Sequence, residues 1–300
     1  MTASPFDLLV AQITDTHVLE PSSTEEQLVD NNARLALAVA ALNAERPRPD
    51  LVLATGDLVN NSTAEQTAVF AELVAPLDVP ILVLPGNHDD RASLKATFDQ
   101  PWQDRGGDHI SWAVDIGPVR VVGLDTIVPG RPGGKFDAER EEWLTTTLAE
   151  APDRPTLVAM HHPPFVSGLE VMDAMGLRGI DAFAAVIRAN PQVERILCGH
   201  LHRPISTTVG GATCTVGVAT IEPVALNLGP DTPIEVALDP YGYFLHGYRA
   251  GDGSPGQWIS HLRYLATGEP PVVPEWAAIV AAAREKAAAA GTGAMSGSAA

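Results

Sequence analysis

Residues 8–17, LLVAQITDTH, show the pattern that decides the fold: an apolar, β-branched run that leads directly into a polar cluster, Asp15-Thr16-His17. The pattern recurs with 51–54 before Asp57, 81–84 before Asn87, 156–160 before His161 and 193–197 before His200. The carboxyl ends of the strands in an open α/β sheet meet at one edge, where ligands bind. Turn chemistry does not require histidine at four of these strand ends. We therefore expect the polar clusters to form one site.

The segments between these runs predict helices. Residues 31–43 are rich in Ala and Leu, and residues 62–66 carry a capping-box signature for a helix that extends to about Ala75. A further helix is expected near 91–98. This alternation of strands and helices favours a mainly parallel sheet flanked by helices.

The rest of the chain predicts a second sheet. Residues 110–116 and 119–124 form a hairpin pattern, 137–149 is an amphipathic helix, and 165–179 is predicted to be a loop over the site, with a plain surface loop as the alternative. Five short strands would form a largely antiparallel sheet: 204–209, 212–218, 234–238, 242–248 and 258–264. We predict an α/β fold, a four-layer α/β/β/α sandwich of two mixed sheets flanked by helices.

Composition limits the classes of function. The chain has 300 residues and a formal net charge of −18, without a cluster of Lys or Arg, which argues against a nucleic-acid scaffold. No apolar stretch approaches the roughly 20 residues that span a bilayer, and residues 1–7 lack the order of a signal peptide, so we predict a cytoplasmic protein. Cys198 and Cys214 are the only cysteines, and they give no reason to expect a disulfide or a cysteine-ligated zinc site.

The polar clusters together have the composition of a metal site. Asp, Asn and His without Cys suit Fe, Mn, Zn or Co better than calcium. Seven side chains are too many for one tetrahedral ion and suit two ions that share a carboxylate: Asp15, His17, Asp57, Asn87, His161, His200 and His202. Paired ions about 3.5–4 Å apart bind the attacking and leaving oxygens of an in-line displacement, which is typical of phosphoryl transfer. Two divalent ions would outweigh the two carboxylates and attract a small anion to an acidic protein.

The order of the motifs resembles that of a known superfamily. Asp-x-His at 15–17, Gly-Asp at 56–57, Gly-Asn-His-Asp at 86–89, His-His-Pro-Pro at 161–164 and Gly-His-x-His at 199–202 resemble the calcineurin-like metallophosphoesterase superfamily. The resemblance is closest to its class III cyclic nucleotide phosphodiesterases and the related bacterial glycerophosphodiesterases. It implies a metallophosphoesterase catalytic domain over 1–266. A C-terminal helix, at 274–286, and a low-complexity tail would complete the chain over 267–300.

The resemblance also implies roles for single residues. One ion would be held by Asp15, His17, Asp57 and His202, and the other by Asp57, Asn87, His161 and His200, with Asp57 as the bridge. A metal-bound hydroxide would attack phosphorus, and His88 would position the ester or protonate the leaving oxygen, with an orienting role behind the ligands as the alternative. The family motif favours His161 over His162 as the ligand. Asn60 stands where many of the cyclic nucleotide enzymes have an Asp that pairs with the equivalent of His88, and it resembles the glycerophosphodiesterase branch instead.

These expectations define a function. We predict a metal-dependent phosphoric diester hydrolase that uses two divalent ions, Fe or Mn with Zn or Co as alternatives. The favoured substrates are 3',5'-cyclic nucleotides similar to cyclic AMP, and the alternatives are glycerophosphodiesters or a broad range of diesters. A DNA exonuclease would need a basic surface that this acidic chain lacks, and a non-enzymatic metal-binding scaffold would leave a complete ligand set unused. The resemblance further implies a homodimer or a higher homo-oligomer.

Overall fold

The computed structural model describes residues 4–21, 23–103, 109–221, 223–230, 235–237, 239–251, 256–265 and 285. The strands are β1 Leu8–Ile13, β2 Leu51–Ala54, β3 Ile81–Val83, β4 Trp112–Ile116, β5 Val119–Leu124, β6 Gly134–Lys135, β7 Thr156–Met160, β8 Leu177–Arg178, β9 Val193–Cys198, β10 Ile205–Val209, β11 Ala212–Val216, β12 Gly242–Arg249 and β13 Gln257–Tyr264. The helices are α1 Thr24–Val29, α2 Asn31–Ala44, α3 Ala64–Val74, α4 Arg91–Thr97, α5 Ala138–Ala149, α6 Glu170–Ala174 and α7 Ile180–Ala189. In the described ranges no helix is long and apolar enough to cross a membrane.

Two mixed sheets carry the fold, as predicted. The first has five strands in the order β13-β12-β1-β2-β3, and the second has six in the order β10-β11-β9-β7-β5-β4. Strands β1, β2 and β3 are parallel, and so are β5, β7, β9 and β11. The carboxyl ends of both parallel sets therefore carry the polar clusters that follow these strands.

Three apolar layers separate the sheets and helices, which confirms the four-layer sandwich. Leu53, Trp112 and Leu157 are among the buried residues packed between the two sheets. Phe70 of α3 packs against the outer face of the first sheet, and Phe183 of α7 packs against that of the second. Complete burial of each large apolar side chain contributes about 1.5–3 kcal/mol, so these layers are the main source of stability.

The N-terminal boundaries of the helices follow their capping residues. Thr63 precedes α3 and accepts a hydrogen bond from the N–H of Gln66, as the capping-box signature predicts. Asp90 and Asp137 make the equivalent bond at the starts of α4 and α5. These side chains satisfy N–H groups that have no partner inside the helix.

The predicted assignment of the C-terminal strands to a largely antiparallel second sheet is wrong in part, because β10 and β11 lie in the second sheet but β12 and β13 lie in the first. Strand β11 lies parallel to β9, while β12 pairs with β1 in the first sheet, with Val10 opposite His246. Strand β1 is buried on both faces, so an unpaired edge there would leave buried backbone groups without partners. In 234–238, Val236 forms only an isolated bridge with Val224, and residues 234 and 238 lie outside the described residues.

The predicted loop 165–179 is also wrong in part, because it contains α6 and β8. Strand β8 pairs with β6, and the Asp173 carboxylate accepts hydrogen bonds from the N–H groups of Ser167 and Gly168. A helix of five residues is too short to show a periodic pattern. The domain boundary at 266 stays a prediction, and the helix predicted at 274–286 lies outside the described residues except for Glu285.

Candidate metal centre

All seven predicted ligands lie in the loops that directly follow parallel strands, and the two sheets bring them together. Asp15, His17, Asp57 and Asn87 follow strands of the first sheet, whereas His161, His200 and His202 follow strands of the second. The backbone N–H of His200 donates to both carboxylate oxygens of Asp15, at 3.0 and 3.1 Å. The first and last motifs in the sequence are therefore in direct contact.

One group of side chains coincides with the first predicted ligand set. Ligand atoms of Asp15, His17, Asp57 and His202 all lie within 4.8 Å of one another. The Nε2 atoms of His17 and His202 are 3.2 Å apart, and Nε2 of His202 is 3.5 Å from Oδ1 of Asp15. This convergence of nitrogen and carboxylate donors fits a divalent first-row ion.

A second group lies on the other side of Asp57. The Nε2 atom of His161 is 3.3 Å from Oδ2 of Asp57 and 3.2 Å from Oδ1 of Asn87, and the His161 and His200 ring centroids are 5.1 Å apart. The same Asp57 oxygen is 3.7 Å from Nε2 of His17. Asp57 therefore faces a histidine of each group, as a bridging carboxylate must.

His162 also lies near the second group, but its ring nitrogens have other partners. Ligand atoms of His161, His162 and His200 lie within 4.8 Å of one another. The Nε2–H of His162 donates to the carbonyl of Pro132 at 3.1 Å, and its Nδ1 accepts from the Thr126 hydroxyl at 2.9 Å. These bonds hold both nitrogens of His162, which favours His161 as the ligand.

Hydrogen bonds fix the tautomers of three predicted ligands. The Nδ1–H of His161 donates to the Thr55 carbonyl at 2.9 Å, and the Nε2–H of His200 donates to the Met175 carbonyl at 3.2 Å. His17 makes the same kind of bond from Nδ1 to Oδ1 of Asn60, at 3.3 Å. Because a carbonyl oxygen only accepts, each bond shows which ring nitrogen keeps its hydrogen, so the other nitrogen is the one that can bind a metal. This arrangement is typical of histidines that bind metals.

The backbone at the site is strained. Five of the predicted ligands have positive φ angles, which are 51° at Asp15, 42° at His17, 50° at Asp57, 72° at His200 and 53° at His202. Non-glycine residues in the left-handed region cost of order 1–3 kcal/mol each, and such residues cluster at functional sites. The surrounding fold therefore holds the ligand loops in their conformation at the expense of stability.

Two glycines allow the ligand loops to approach each other closely. A Cβ atom on Gly86 would lie 2.2 Å from both the backbone nitrogen and Oδ1 of Asp57, and one on Gly199 would lie 2.2 Å from the Thr14 hydroxyl. The contact with the backbone of Asp57 cannot be relieved by moving a side chain, and a Cβ atom on Gly199 would also lie only 3.0 Å from the Thr55 carbonyl. The glycines of the Gly-Asn-His-Asp and Gly-His-x-His motifs are thus required by packing.

Burial and neighbouring charged side chains set the pKa values of the predicted ligands. Burial alone would raise the pKa of Asp57, but His161 and His17 outweigh it and hold this pKa well below its usual range. Burial alone would lower the pKa of His161, but Asp57 and Asp15 raise it to about 9. Burial lowers the pKa of His17 to about 4. His17 is therefore neutral and ready to bind a metal at pH 7, whereas His161 must first lose a proton.

His88 lies at the edge of the centre. Its Nδ1–H donates to the Asn60 carbonyl at 2.7 Å, so Nε2 is the ring nitrogen that does not bond to Asn60, and its ring centroid is 4.8 Å from that of His17. The residue lines a cavity of about 220 Å³ whose other lining residues are His17, Asp57, Asn87, Pro132, Met172, Met175, His200, His202 and Val224. His88 thus lies beside the predicted ligands.

Asn60 has two roles that the sequence did not indicate. Its carbonyl holds His88, while its side chain accepts from His17 and donates to Glu25 at 3.3 Å. The side chain of Asn60 therefore orients a predicted metal ligand, and its backbone carbonyl orients His88. The Thr55 and Met175 carbonyls were also missed, because every residue has a carbonyl and the sequence does not show which one accepts.

Several polar residues near the motifs have structural partners instead. The Asp89 carboxylate accepts from the N–H groups of Gly86, Leu58 and Val59, and these bonds orient the loop after β3. Arg203 donates to the Val224 carbonyl at 2.6 Å and pairs with Asp239, which holds its guanidinium there.

Comparison with known proteins decides the family. A sequence model described as calcineurin-like phosphoesterase matches residues 8–204. The chain belongs to this family. The predicted resemblance is therefore confirmed. Together with the two groups of ligating side chains, membership of the calcineurin-like phosphoesterase family indicates that the protein binds two divalent metal ions.

Relatives within this family are phosphodiesterases by name. The chain is 34% identical over 266 residues to a probable glycerophosphodiester phosphodiesterase of Arcobacter nitrofigilis, a match that covers 88% of this chain and 96% of that protein. It is 35% identical over 208 residues to a 3',5'-cyclic adenosine monophosphate phosphodiesterase of Escherichia coli K12, covering 67% and 72%. A dimetal phosphatase of Danio rerio has the same fold, with a TM-score of 0.62, 15% identity and coverage of 87% and 97%.

Proposed function

We propose that this protein is a dinuclear metal-dependent phosphodiesterase. The observation that carries the proposal is the position of Asp57, whose Oδ2 faces His17 of one group and His161 of the other. In this proposal Asp15, His17, Asp57 and His202 hold one ion, and Asp57, Asn87, His161 and His200 hold the other. The ions, when bound, lower the pKa of water to supply a nucleophile and stabilise charge on the phosphoryl oxygens.

The protein's own residues position the ester and move one proton. In our proposal, His88 acts in its doubly protonated form: its Nε2 donates a proton to the leaving oxygen, while its Nδ1–H keeps the bond to the Asn60 carbonyl that fixes the ring beside the predicted ligands. The strained ligand loops hold the donor atoms in place before the ions bind, so little reorganisation is needed.

The lining of the cavity favours a diester over a monoester. Among the described residues that line it, none is a Lys or Arg that could neutralise a second phosphate charge. Arg203, the nearest cation in sequence to the last ligand, is paired elsewhere. A diester carries a single negative charge, which two divalent ions and two ligand carboxylates can accommodate.

We propose 3',5'-cyclic nucleotides as the substrates. Pro132, Met172, Met175 and Val224 form an apolar wall of the cavity, which suits the flat, weakly polar face of a nucleobase. Methionine is flexible and adapts to such a surface. The similarity to the cyclic adenosine monophosphate phosphodiesterase of Escherichia coli supports this class of substrate.

Glycerophosphodiesters are the second candidate. The similarity to the probable glycerophosphodiester phosphodiesterase of Arcobacter nitrofigilis extends over 96% of that protein, compared with 72% for the Escherichia coli enzyme. The side chain of Asn60 hydrogen-bonds to His17, and it is the backbone carbonyl of Asn60 that accepts from His88, which supports the glycerophosphodiesterase branch. Fe or Mn remains the favoured pair of ions, with Zn or Co as alternatives, and a cytoplasmic homodimer or higher homo-oligomer remains a prediction.

Substrate competition tests the proposal. Metal-stripped and Mn-reconstituted protein would be given cyclic AMP, glycerophosphocholine and bis-nitrophenyl phosphate, and the products would be resolved. We expect metal-dependent cleavage with the highest kcat/KM for cyclic AMP. A preference for glycerophosphocholine would select the second candidate, and the absence of metal-dependent cleavage of all three would reject the phosphodiesterase function.

A further inference from the structure

Gln12 is a buried polar residue within the apolar strand β1, and its side-chain amide bonds to three different strands or strand ends. Its Nε2 donates to the Thr55 hydroxyl at 3.0 Å and to the Cys198 carbonyl at 2.8 Å. Its Oε1 accepts from Nε2–H of His246 at 3.0 Å. The two amide hydrogens and the amide oxygen are all used, so the orientation of the amide is determined by its partners.

Gln12 and two of its three partners lie just before predicted metal ligands. Gln12 itself is three residues before Asp15, Thr55 is two residues before Asp57, and Cys198 is two residues before His200. The first two segments belong to one sheet and the third belongs to the other. One amide therefore connects three ligand-bearing segments across the interface between the sheets.

Thr55 extends the connection to a further ligand. Its hydroxyl accepts from Gln12, and its carbonyl accepts from Nδ1–H of His161 at 2.9 Å. A shift of Thr55 would change the direction in which His161 presents Nε2 to the second ion. Groups that orient metal-bound histidines are known to affect metal affinity.

His246 supports Gln12 from the opposite side. His246 lies on β12 and is fully buried, and its Nδ1 accepts from the Ser260 hydroxyl at 2.7 Å. Because its Nε2–H is directed to Gln12, the amide cannot rotate without breaking a buried hydrogen bond. A series of hydrogen bonds thus leads from β13 to the metal centre through Ser260, His246, Gln12 and Thr55.

We propose that Gln12 is a positioning residue that sets the spacing between the ligands of the two ions, and that His246 holds it in place. This inference rests on the ligand assignment in the proposed function. A residue that only stabilised the fold would lower the free energy of unfolding without changing metal affinity. A positioning residue would change the affinity for the second ion and the coupling between the two ions.

The test is Mn²⁺ binding to the metal-free full-length chain, measured by equilibrium dialysis. Gln12→Met keeps the size of the side chain and removes its hydrogen bonds. Tyr243→Phe is the matched control, because Tyr243 is a fully buried residue of β12 whose hydroxyl donates to Glu45, away from the ligand strands. We expect Gln12→Met to weaken binding of the second Mn²⁺ by about 10- to 100-fold, the usual effect of losing an orienting partner. Tyr243→Phe should bind both ions as the wild type does.

Two milder variants keep the inference testable if Gln12→Met does not fold. Thr55→Val removes the hydroxyl and keeps the carbonyl that holds His161, and His246→Leu removes the support of Gln12 without touching a ligand segment. Each should weaken the second Mn²⁺ and alter the spin-coupled EPR signal of the Mn pair. Wild-type binding and an unchanged signal in these variants would overturn the inference, as would an equal loss of affinity in Tyr243→Phe. Failure of the proposed function would instead be seen in the wild type, as binding of two ions without hydrolysis of any diester.

Discussion

The backbone N–H of His200 donates to both carboxylate oxygens of Asp15, which connects the loops after β9 and β1 across the interface between the two sheets. Both residues have positive φ angles and both are predicted ligands, of different ions. The contact therefore couples the two ligand groups through the backbone as well as through Asp57. An effect at one group is expected to reach the other.

Loss of Asn87 should remove the second ion. In Asn87→Ala the oxygen that lies 3.2 Å from Nε2 of His161 is absent. Since loss of a mere orienting partner costs about 10- to 100-fold in metal affinity or activity, loss of a direct ligand should cost at least about 100-fold in turnover. Metal content and diester hydrolysis are the measurements. Asn190→Ala, which removes a hydrogen bond to Val186 at the end of α7, should retain both. Full activity of Asn87→Ala would contradict the ligand assignment.

Loss of His88 should affect the reaction without affecting metal content. A proton donor contributes about 10²–10⁴-fold to rate, and the contribution is largest for a poor leaving group. His88→Ala should therefore slow cleavage of an alkyl ester far more than that of bis-nitrophenyl phosphate. The exposed His261 on β13 provides the control substitution, His261→Ala, which should change neither rate. Equal slowing of both esters by His88→Ala would remove the proton-donor role.

Gly86 should be intolerant of even one methyl group. In Gly86→Ala the new Cβ would lie 2.2 Å from the backbone nitrogen and Oδ1 of Asp57, so the bridging carboxylate must move. We expect loss of metal binding together with a lower melting temperature. Gly130→Ala is a useful comparison, because Gly130 has a φ of 70° and a methyl group added there would meet nothing within 4 Å. Gly130→Ala should lower the free energy of unfolding by only about 1–2 kcal/mol, because Gly130 has a left-handed backbone conformation. The variant should still bind both ions.

Metal binding should release a proton and strengthen with pH. The pKa of His161 is raised to about 9 in the metal-free protein, so at pH 7 this residue is protonated and an ion must displace the proton. The affinity of the second ion should rise about tenfold per pH unit between pH 6 and 8, because one proton is exchanged. The pKa of His17 is lowered to about 4, so this histidine contributes no proton. Calorimetry in buffers of different ionisation enthalpy measures the number of protons released per ion bound. Release of no proton would contradict the assignment of His161 as a ligand.

The sequence predicted which polar side chains lie together better than it predicted the sheets. Each ligand cluster follows an apolar run, and both the run and the cluster are local features of the chain. The sheet in which β12 lies depends on a pairing with β1 more than 200 residues away in sequence, as in Val10 and His246. An apolar run does not indicate its partner, so the prediction places β12 and β13 in the wrong sheet.

The residues that orient the ligands were also hard to predict. Thr55 and Met175 act through backbone carbonyls, which have no sequence signal. Gln12 did have a signal, since a long polar side chain within the apolar run 8–13 must find buried partners. Such an interruption beside a ligand motif is a useful indicator of a positioning residue.

The most direct test of the dinuclear centre is a titration of the metal-free protein with Mn²⁺, followed by bound metal per chain, EPR and hydrolysis of bis-nitrophenyl phosphate in the same samples. Because Asp57 faces both ligand groups, we predict two ions per chain, a spin-coupled spectrum, and activity that appears with the second ion. Saturation with a single ion, or two ions that give only isolated Mn²⁺ signals, would contradict the account.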